Sequence, residues 1–301
     1  MDALRSALDP ALSPPAVDDL AAWWAATAAT RDAWTAPVDR ALIGGACADR
    51  LGFAFAAAYA EALRALVPDL PAGSIGALCA TEDTGNHPRA IRTRLEPAGE
   101  RYQLTGRKKW ASLAPAASSL LIVATTGDGP DGKPQLRVAR IATTAPGVRL
   151  LPSTASFVPE IPHAEVELTA AAVTDVLPGD GYDAYLKPFR TIEDLHLHVA
   201  LAGYLLSVIR RKRFPAALSQ RVLAHTVTAR ALAAAPPLAA TTHLALAGLL
   251  DLAAETIAAL EALWATSPDD EFARWQRDRR LLQVASTART ARTARAWSEL
   301  G

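Results

Sequence analysis

Leu78-Cys79-Ala80-Thr81-Glu82 passes from an apolar run into two polar residues, and farther on comes Tyr102-Gln103-Leu104-Thr105-Gly106-Arg107-Lys108-Lys109-Trp110-Ala111-Ser112. Both stretches read as strands. The first is a short apolar run that ends in polar residues, and the second opens on the alternating Arg101-Tyr102-Gln103-Leu104-Thr105, the period-two pattern of a half-buried strand. Between them lie turn-forming residues, Gly85-Asn86 among them, and then Ile91-Arg92-Thr93.

Working outward, the same character holds from Ile75 to Val176. Ser119-Leu120-Leu121-Ile122-Val123-Ala124 is apolar enough for a buried strand, and Leu136 to Ile141 and Ala164 to Leu168 alternate. Gly127-Asp128-Gly129-Pro130-Asp131-Gly132 has the composition of a hairpin loop. Helical periodicity flanks this region on both sides. Before it, Ser13 to Leu66 is Ala-rich, with Trp23, Trp24, Trp34, Phe53, Phe55 and Tyr59 spaced for helix packing, and Pro68-Asp69-Leu70-Pro71-Ala72-Gly73 closes the segment. After Gly179-Asp180-Gly181, Leu195, Val199, Ala202, Leu205, Leu206 and Ile209 mark one amphipathic face, and Leu246, Leu249, Leu250, Ile257, Leu260 and Trp264 another. Pro236-Pro237 separates the two, and Ser267-Pro268-Asp269-Asp270 opens a last helix carrying Phe272, Trp275, Leu281, Leu282, Val284 and Trp297.

A chain of 301 residues that is 50% hydrophobic and 21% charged is of globular composition, and its length suits two or three domains. Basic and acidic residues both total 31, so broad attraction to nucleic acid is not expected. Cys47 and Cys79 sit in apolar runs with no metal-ligand spacing to the histidines. They read as buried, reduced thiols of a cytoplasmic protein. The start of the chain lacks signal-peptide order, and the apolar stretch Leu238 to Leu250 is expected to be a buried helix rather than a membrane span.

The strand ending in Thr81-Glu82, the following Gly-containing loop and the Gly106-Arg107-Lys108-Lys109-Trp110-Ala111-Ser112 segment resemble the middle domain of acyl-CoA dehydrogenases. The resemblance implies a multidomain α+β fold: an N-terminal helical domain (1–74), a middle antiparallel β-barrel or sandwich domain (75–180) and a C-terminal helical bundle (181–301), both helical parts being short. It implies FAD as cofactor, with Thr81 donating to the pyrimidine side of the flavin ring, Trp110 flanking it, Ser112 reaching toward N5, and Leu78 and Ala80 lining it. It further implies α,β-dehydrogenation of an acyl-CoA or related acyl thioester with hydride transfer to N5, and a homo-oligomer, dimer or tetramer. The electron acceptor and the catalytic residues are left unassigned.

Several segments depart from that pattern. The loop reads Asp83-Thr84-Gly85-Asn86-His87-Pro88, bulkier than a CoA-gripping loop, and His87 is expected to be solvated. No acidic residue near the chain end stands in the family's context for a base, and Glu255 and Glu261 read as a solvated helix face. Arg210-Arg211-Lys212-Arg213-Phe214 only loosely matches the phosphate-binding Arg-x-x-Phe-Gly segment and is expected to complement a helix C-terminus. Arg289, Arg292 and Arg295 read as a wet basic stripe, and Thr191 as a helix cap with Glu193 and Asp194 in the first turn. His196 and His198 face different helix sides and make a poor metal pair. Two other readings stay open: a noncatalytic shortened paralogue acting as a binding or scaffold protein, and a flavoprotein oxidising a non-CoA substrate.

Overall fold

The continuous apolar run at Ser119 forms the central strand of an eight-stranded sheet, and the alternating segments around it supply most of the rest. In the computed structural model, which describes residues 2–301 apart from Ala72, Thr84, Asn86 and Asp131, the strands are β1 (Gly76–Cys79), β2 (Arg94–Ala98), β3 (Arg101–Ser112), β4 (Ser119–Asp128), β5 (Pro134–Ala142), β6 (Val148–Ser153), β7 (His163–Ala172) and β8 (Asp175–Val176). The path through the sheet is β6-β7-β3-β2-β4-β5-β8. One edge of β4 carries β5; the other carries β1 along Ser119–Ile122 and then β2 at Thr125. Those two pairings with β4 are parallel, a departure from the antiparallel expectation, and the remaining pairings are antiparallel. Leu120 to Ala124 are wholly buried, as a central strand covered on both faces requires. Asn86 and Thr84 of the expected loop, Ala72 of the Pro-rich joint and Asp131 of the hairpin loop lie outside the described residues.

This β unit spans Leu66–Phe189; the second unit joins Met1–Ala65 to Arg190–Gly301. Its helices are α1 (Ala3–Ala7), α2 (Leu20–Ala26), α3 (Ala28–Asp32), α4 (Pro37–Ala46), α5 (Leu51–Leu66), α6 (Lys187–Lys212), α7 (Ala216–Ala233), α8 (Ala240–Trp264), α9 (Asp270–Asp278) and α10 (Ser286–Leu300). α1 precedes the region expected to be helical, and Asp2 caps it by accepting from the Leu4 N–H.

Helix spacing brings Trp23 and Phe53 together, their rings stacked at 5.1 Å, while Trp23 Nε1 donates to the Cys47 carbonyl at 3.0 Å. Burying an aromatic of this size contributes about 1.5–3 kcal/mol. Glu61, fully buried on α5, is held by Arg40 at 3.0 Å and Arg64 at 2.6 Å. Close approach of α4 to α6 depends on two glycines. A Cβ on Gly45 would overlap the Ala200 carbonyl, and one on Gly203 would overlap the Leu42 carbonyl, so backbone packs directly on backbone there.

The two longest helices differ in burial. Both are long and apolar enough to cross a membrane by length and composition, but the most apolar window of the helical stretch Tyr182–Lys212 is 89% buried within the protein and that of α8 only 28%. α8, which contains most of the stretch expected to be a buried helix, therefore runs with one side in the open, exposing Leu252 and Leu263, and Leu238 just before it is exposed too. The expected last helix is broken in two by a 3-10 turn at Arg279–Gln283, which leaves Val284 and Trp297 on the surface.

Candidate functional site

The polar end of β1 is fixed by one buried ion pair. Glu82 is 7% exposed and Lys108, on β3, is fully buried, with Nζ donating to Glu82 Oε1 at 2.6 Å. Oε1 also accepts from the Thr93 amide at 3.0 Å and the Thr93 hydroxyl at 2.8 Å, and Oε2 accepts from the Arg92 amide at 2.7 Å. Burial alone would raise the Glu82 carboxyl. The Lys108 charge and hydrogen bond, with the Thr93 bonds, outweigh it and hold the carboxyl below the usual carboxylate range. Burial pulls the Lys108 ammonium below its ordinary value, with Glu82 opposing. Gly106 lets this cluster close: at φ 152° it lies against Thr93, where a Cβ would come within 2.7 Å of the threonine backbone.

From that anchor β3 bulges outward. Lys108 pairs with Val166 but Ala111 pairs with Ala164, so one extra residue is looped out of β3. The Lys109 amide leaves the β7 ladder and donates to the Thr81 carbonyl at 2.8 Å, which draws the end of β1 against the bulge. Trp110 takes a left-handed backbone at φ 53° and is 59% exposed. A bulky residue held at positive φ stores strain, and such strain gathers at binding sites. Beyond the bulge, alternation resumes: Ala111 is buried and Ser112 points the other way, half-buried. On β1, Leu78 is half-exposed between buried Ala77 and Cys79, and Ala80 follows half-exposed.

The five residues singled out from the sequence, Leu78, Ala80, Thr81, Trp110 and Ser112, thus belong to adjoining stretches of β1 and β3 in one unit. Leu78 and Ser112 alternate with buried neighbours and face away from its core, and Trp110, in the bulge, is exposed. Among the described residues, the hydroxyls of Thr81 and Ser112 bond to no protein group. An exposed indole and two free hydroxyls form an open surface able to cover an aromatic face and hydrogen-bond its edge. His87 is exposed, and its Nδ1 accepts from the Arg89 amide at 3.2 Å, starting a short 3-10 turn. Sequence reading missed the roles of Glu82 and Lys108; an acid and a base within motifs otherwise read for the ring were the available signal.

The helical unit corrects several expectations. Of the expected basic stripe, Arg295 is exposed, whereas Arg289 and Arg292 are mostly covered: both guanidinium groups reach Asp194, at 2.7 Å each, and lock α10 onto α6. Thr191 is no cap. It lies inside α6, buried, and its hydroxyl accepts from Arg292 Nη1 at 3.3 Å. The basic cluster at the end of α6 pairs inward: Arg211 makes two 2.7 Å bonds with Glu271, Lys212 pairs with Asp269, and Arg210 donates to the Ala7 and Leu12 carbonyls. Glu255 is exposed as expected, whereas Glu261 accepts from Trp275 Nε1 at 2.7 Å and from Arg279 at 2.6 Å. Burial, helped by Asp194 and opposed by Arg289, pushes the Glu193 carboxyl up to about 7. His196 and His198 do diverge: His196 Nδ1 bonds the Ile192 carbonyl at 2.8 Å, and His198 lies beside His225.

A cavity of about 780 Å³ opens among α6, α8 and α10 of this unit, walled by Leu197, Leu201, Leu250, Ala254 and Ile257. None of Leu78, Ala80, Thr81, Trp110 or Ser112 lines it. Trp297 and Ser286 also line it, so this cavity too offers an exposed ring and a hydroxyl, but its volume alone does not make it the reactive site.

No family matches the chain by sequence, and no curated protein does either. Solved structures do match, and the fold is acyl-CoA dehydrogenase-like. Butyryl-CoA dehydrogenase from Megasphaera elsdenii aligns over 86% of this chain and 82% of its own at TM-score 0.67 and 15% identity. PigA with FAD and proline aligns over 100% and 97% at TM-score 0.69 and 16% identity. The prolyl acyl carrier protein oxidase AnaB aligns over 88% and 82% at TM-score 0.64 and 16% identity.

Proposed function

We propose that this chain is an FAD-dependent oxidoreductase that removes hydrogen from an acyl thioester between Cα and Cβ. The observation that carries the reading is Trp110, pushed outward at a left-handed backbone between the free hydroxyls of Thr81 and Ser112. That donor set fits a flavin ring. Thr81 would bond its pyrimidine side, Ser112 would reach its N5 edge, Trp110 would cover a face, and Leu78 and Ala80 would wall it. FAD, when bound, supplies a two-electron acceptor for hydride. The chain's own part is to hold that geometry: the Glu82–Lys108 pair sets the end of β1, and the bulge sets Trp110 against it. Removal of the α-proton calls for a carboxylate, and no residue is assigned to it.

A thioester carried on a protein is the second form of this reading. It is favoured by the likeness to AnaB, described as acting on a prolyl carrier protein, and by the His87-Pro88 turn where a CoA-gripping loop would be small. We also propose self-association, supported by Leu252 and Leu263 on the open side of α8 and Trp297 on α10; light scattering tests it.

The test of function is optical. Protein purified and reconstituted with FAD is expected to show bound-flavin absorption that bleaches on anaerobic addition of an acyl-CoA or acyl carrier protein thioester. No flavin binding after reconstitution overturns the enzyme reading and favours a noncatalytic binding protein. Binding without bleaching by either thioester points to a substrate of another kind.

A further inference from the structure

Beside the exposed indole lies a polar row that the reading above leaves unused. Ser112 on β3 is the direct partner of His163 on β7, and His163 is the direct partner of Ser153 on β6. Direct cross-strand partners point to the same side of a sheet with Cβ atoms about 4.5–5.5 Å apart. Ala111 and Ala164, the neighbours along β3 and β7, are buried in the core. Ser112, His163 and Ser153 therefore share the opposite face, the side to which Ser112 was assigned above.

Two atoms of this row are anomalous. His163 Nδ1 and Ser153 Oγ are shielded from solvent and bonded to no protein group. Native proteins leave few buried polar atoms without partners, and each such atom calls for a reason. Burial lowers the His163 pKa, so its imidazole is neutral near pH 7, one nitrogen a donor and the other an acceptor. Resting on the flavin reading, we infer that the Ser112–His163–Ser153 row contacts the flavin ring system, with His163 hydrogen-bonding its polar edge beside Ser112. A ring whose edge alternates donors and acceptors suits a neutral imidazole between two hydroxyls. A carboxylate or ammonium at His163 would match only one half of such an edge.

The test uses the full chain and FAD itself. In the wild type, the His163 imidazole nitrogen resonances are expected to shift as FAD is titrated in, with H163N used to assign them. His163→Phe is expected to weaken FAD binding ten- to a hundredfold, read by quenching of FAD fluorescence, and to move the visible flavin bands. His163→Asn, which keeps a donor and an acceptor, is expected to restore most of the affinity. Glu100→Ala, on the exposed turn between β2 and β3, is expected to leave FAD affinity and spectrum unchanged. Unmoved imidazole resonances, together with wild-type affinity and spectrum in H163F, overturn the inference while the Trp110 reading stands. Failure of the wild type to bind FAD overturns both. Should H163F not fold, as judged by circular dichroism, the wild-type resonances and H163N decide the matter alone.

Discussion

Two of the buried ion clusters among the described residues solve different problems. In the β unit, Glu82 and Lys108 form one pair, with both carboxylate oxygens satisfied by the ammonium and by backbone and hydroxyl donors from Arg92 and Thr93. In the helical unit, Asp194 faces two guanidinium groups, Arg289 and Arg292, which remain 19% and 15% exposed in their side chains. The first cluster is sealed and sets the position of a strand end. The second is partly hydrated and fastens one helix to another. A sealed pair costs much to break and little to leave alone, because the loss of one partner strands a charge away from water. A hydrated cluster yields more gently and feels salt.

Lys108→Met tests the sealed pair most severely. It is expected to destabilise the protein by about 3–5 kcal/mol in urea unfolding, and adding Glu82→Gln is expected to recover part of that loss. A cost near that of an ordinary surface change would end the contrast. Next in size is Asp194→Ala, expected to cost about 1–3 kcal/mol. In wild type, added salt is expected to weaken the Asp194 contribution while leaving the Lys108 contribution unchanged, as a double comparison across salt concentrations would show.

Glu193 sharpens the same contrast through pH. In the fold its carboxyl keeps its proton up to about pH 7, whereas the unfolded chain releases it near ~4.3. Stability from this group is therefore present below the unfolded value and lost as pH rises toward 7. Glu193→Gln is expected to raise the melting temperature by a few degrees above pH 7 and to leave it unchanged near pH 4, by thermal unfolding across pH. Glu82 has the opposite sign: its depressed carboxyl contributes stability above its unfolded value, lost as pH falls through the folded one. The smallest effect on stability belongs to Trp110→Gly. Release of the left-handed strain is expected to leave unfolding within about 1 kcal/mol of wild type while FAD affinity falls, as fluorescence titration would show.

What was legible in the sequence was whatever depends on neighbours along the chain. The alternation of β3, β5 and β7, the apolar run of β4, and the order of helices, strands and helices all follow from local period. The five residues of the β1–β3 face could be singled out because the Thr-Glu and Gly-x-Lys-x-Trp patterns are each short. Partnerships across distance were not legible. Asp194 and its arginines are 95 and 98 residues apart, so a stripe at helical spacing looked solvated until a carboxylate from α6 met it. His163 ends a distinctive segment, Phe157 to His163, that declares no role in the sequence, and the register of β7 between β3 and β6 sets it beside Ser112 and Ser153. The exposure of α8 likewise depends on which helices cover it, which hydropathy does not encode.

The glycine contact between α4 and α6 has a bearing on synthesis. Gly45 and Gly203 belong to the same unit, yet the whole β unit is translated between them. As the chain leaves the ribosome, residues 66–189 can close their sheet while α1 to α5 still wait for the helices that cover them. The first helices made are then among the last to be buried, and their apolar faces are open for the time taken to translate more than a hundred residues, on the order of ten seconds at about 5–20 residues per second. During that interval these faces are natural ground for a chaperone, and slow codons after residue 189 would lengthen the exposure.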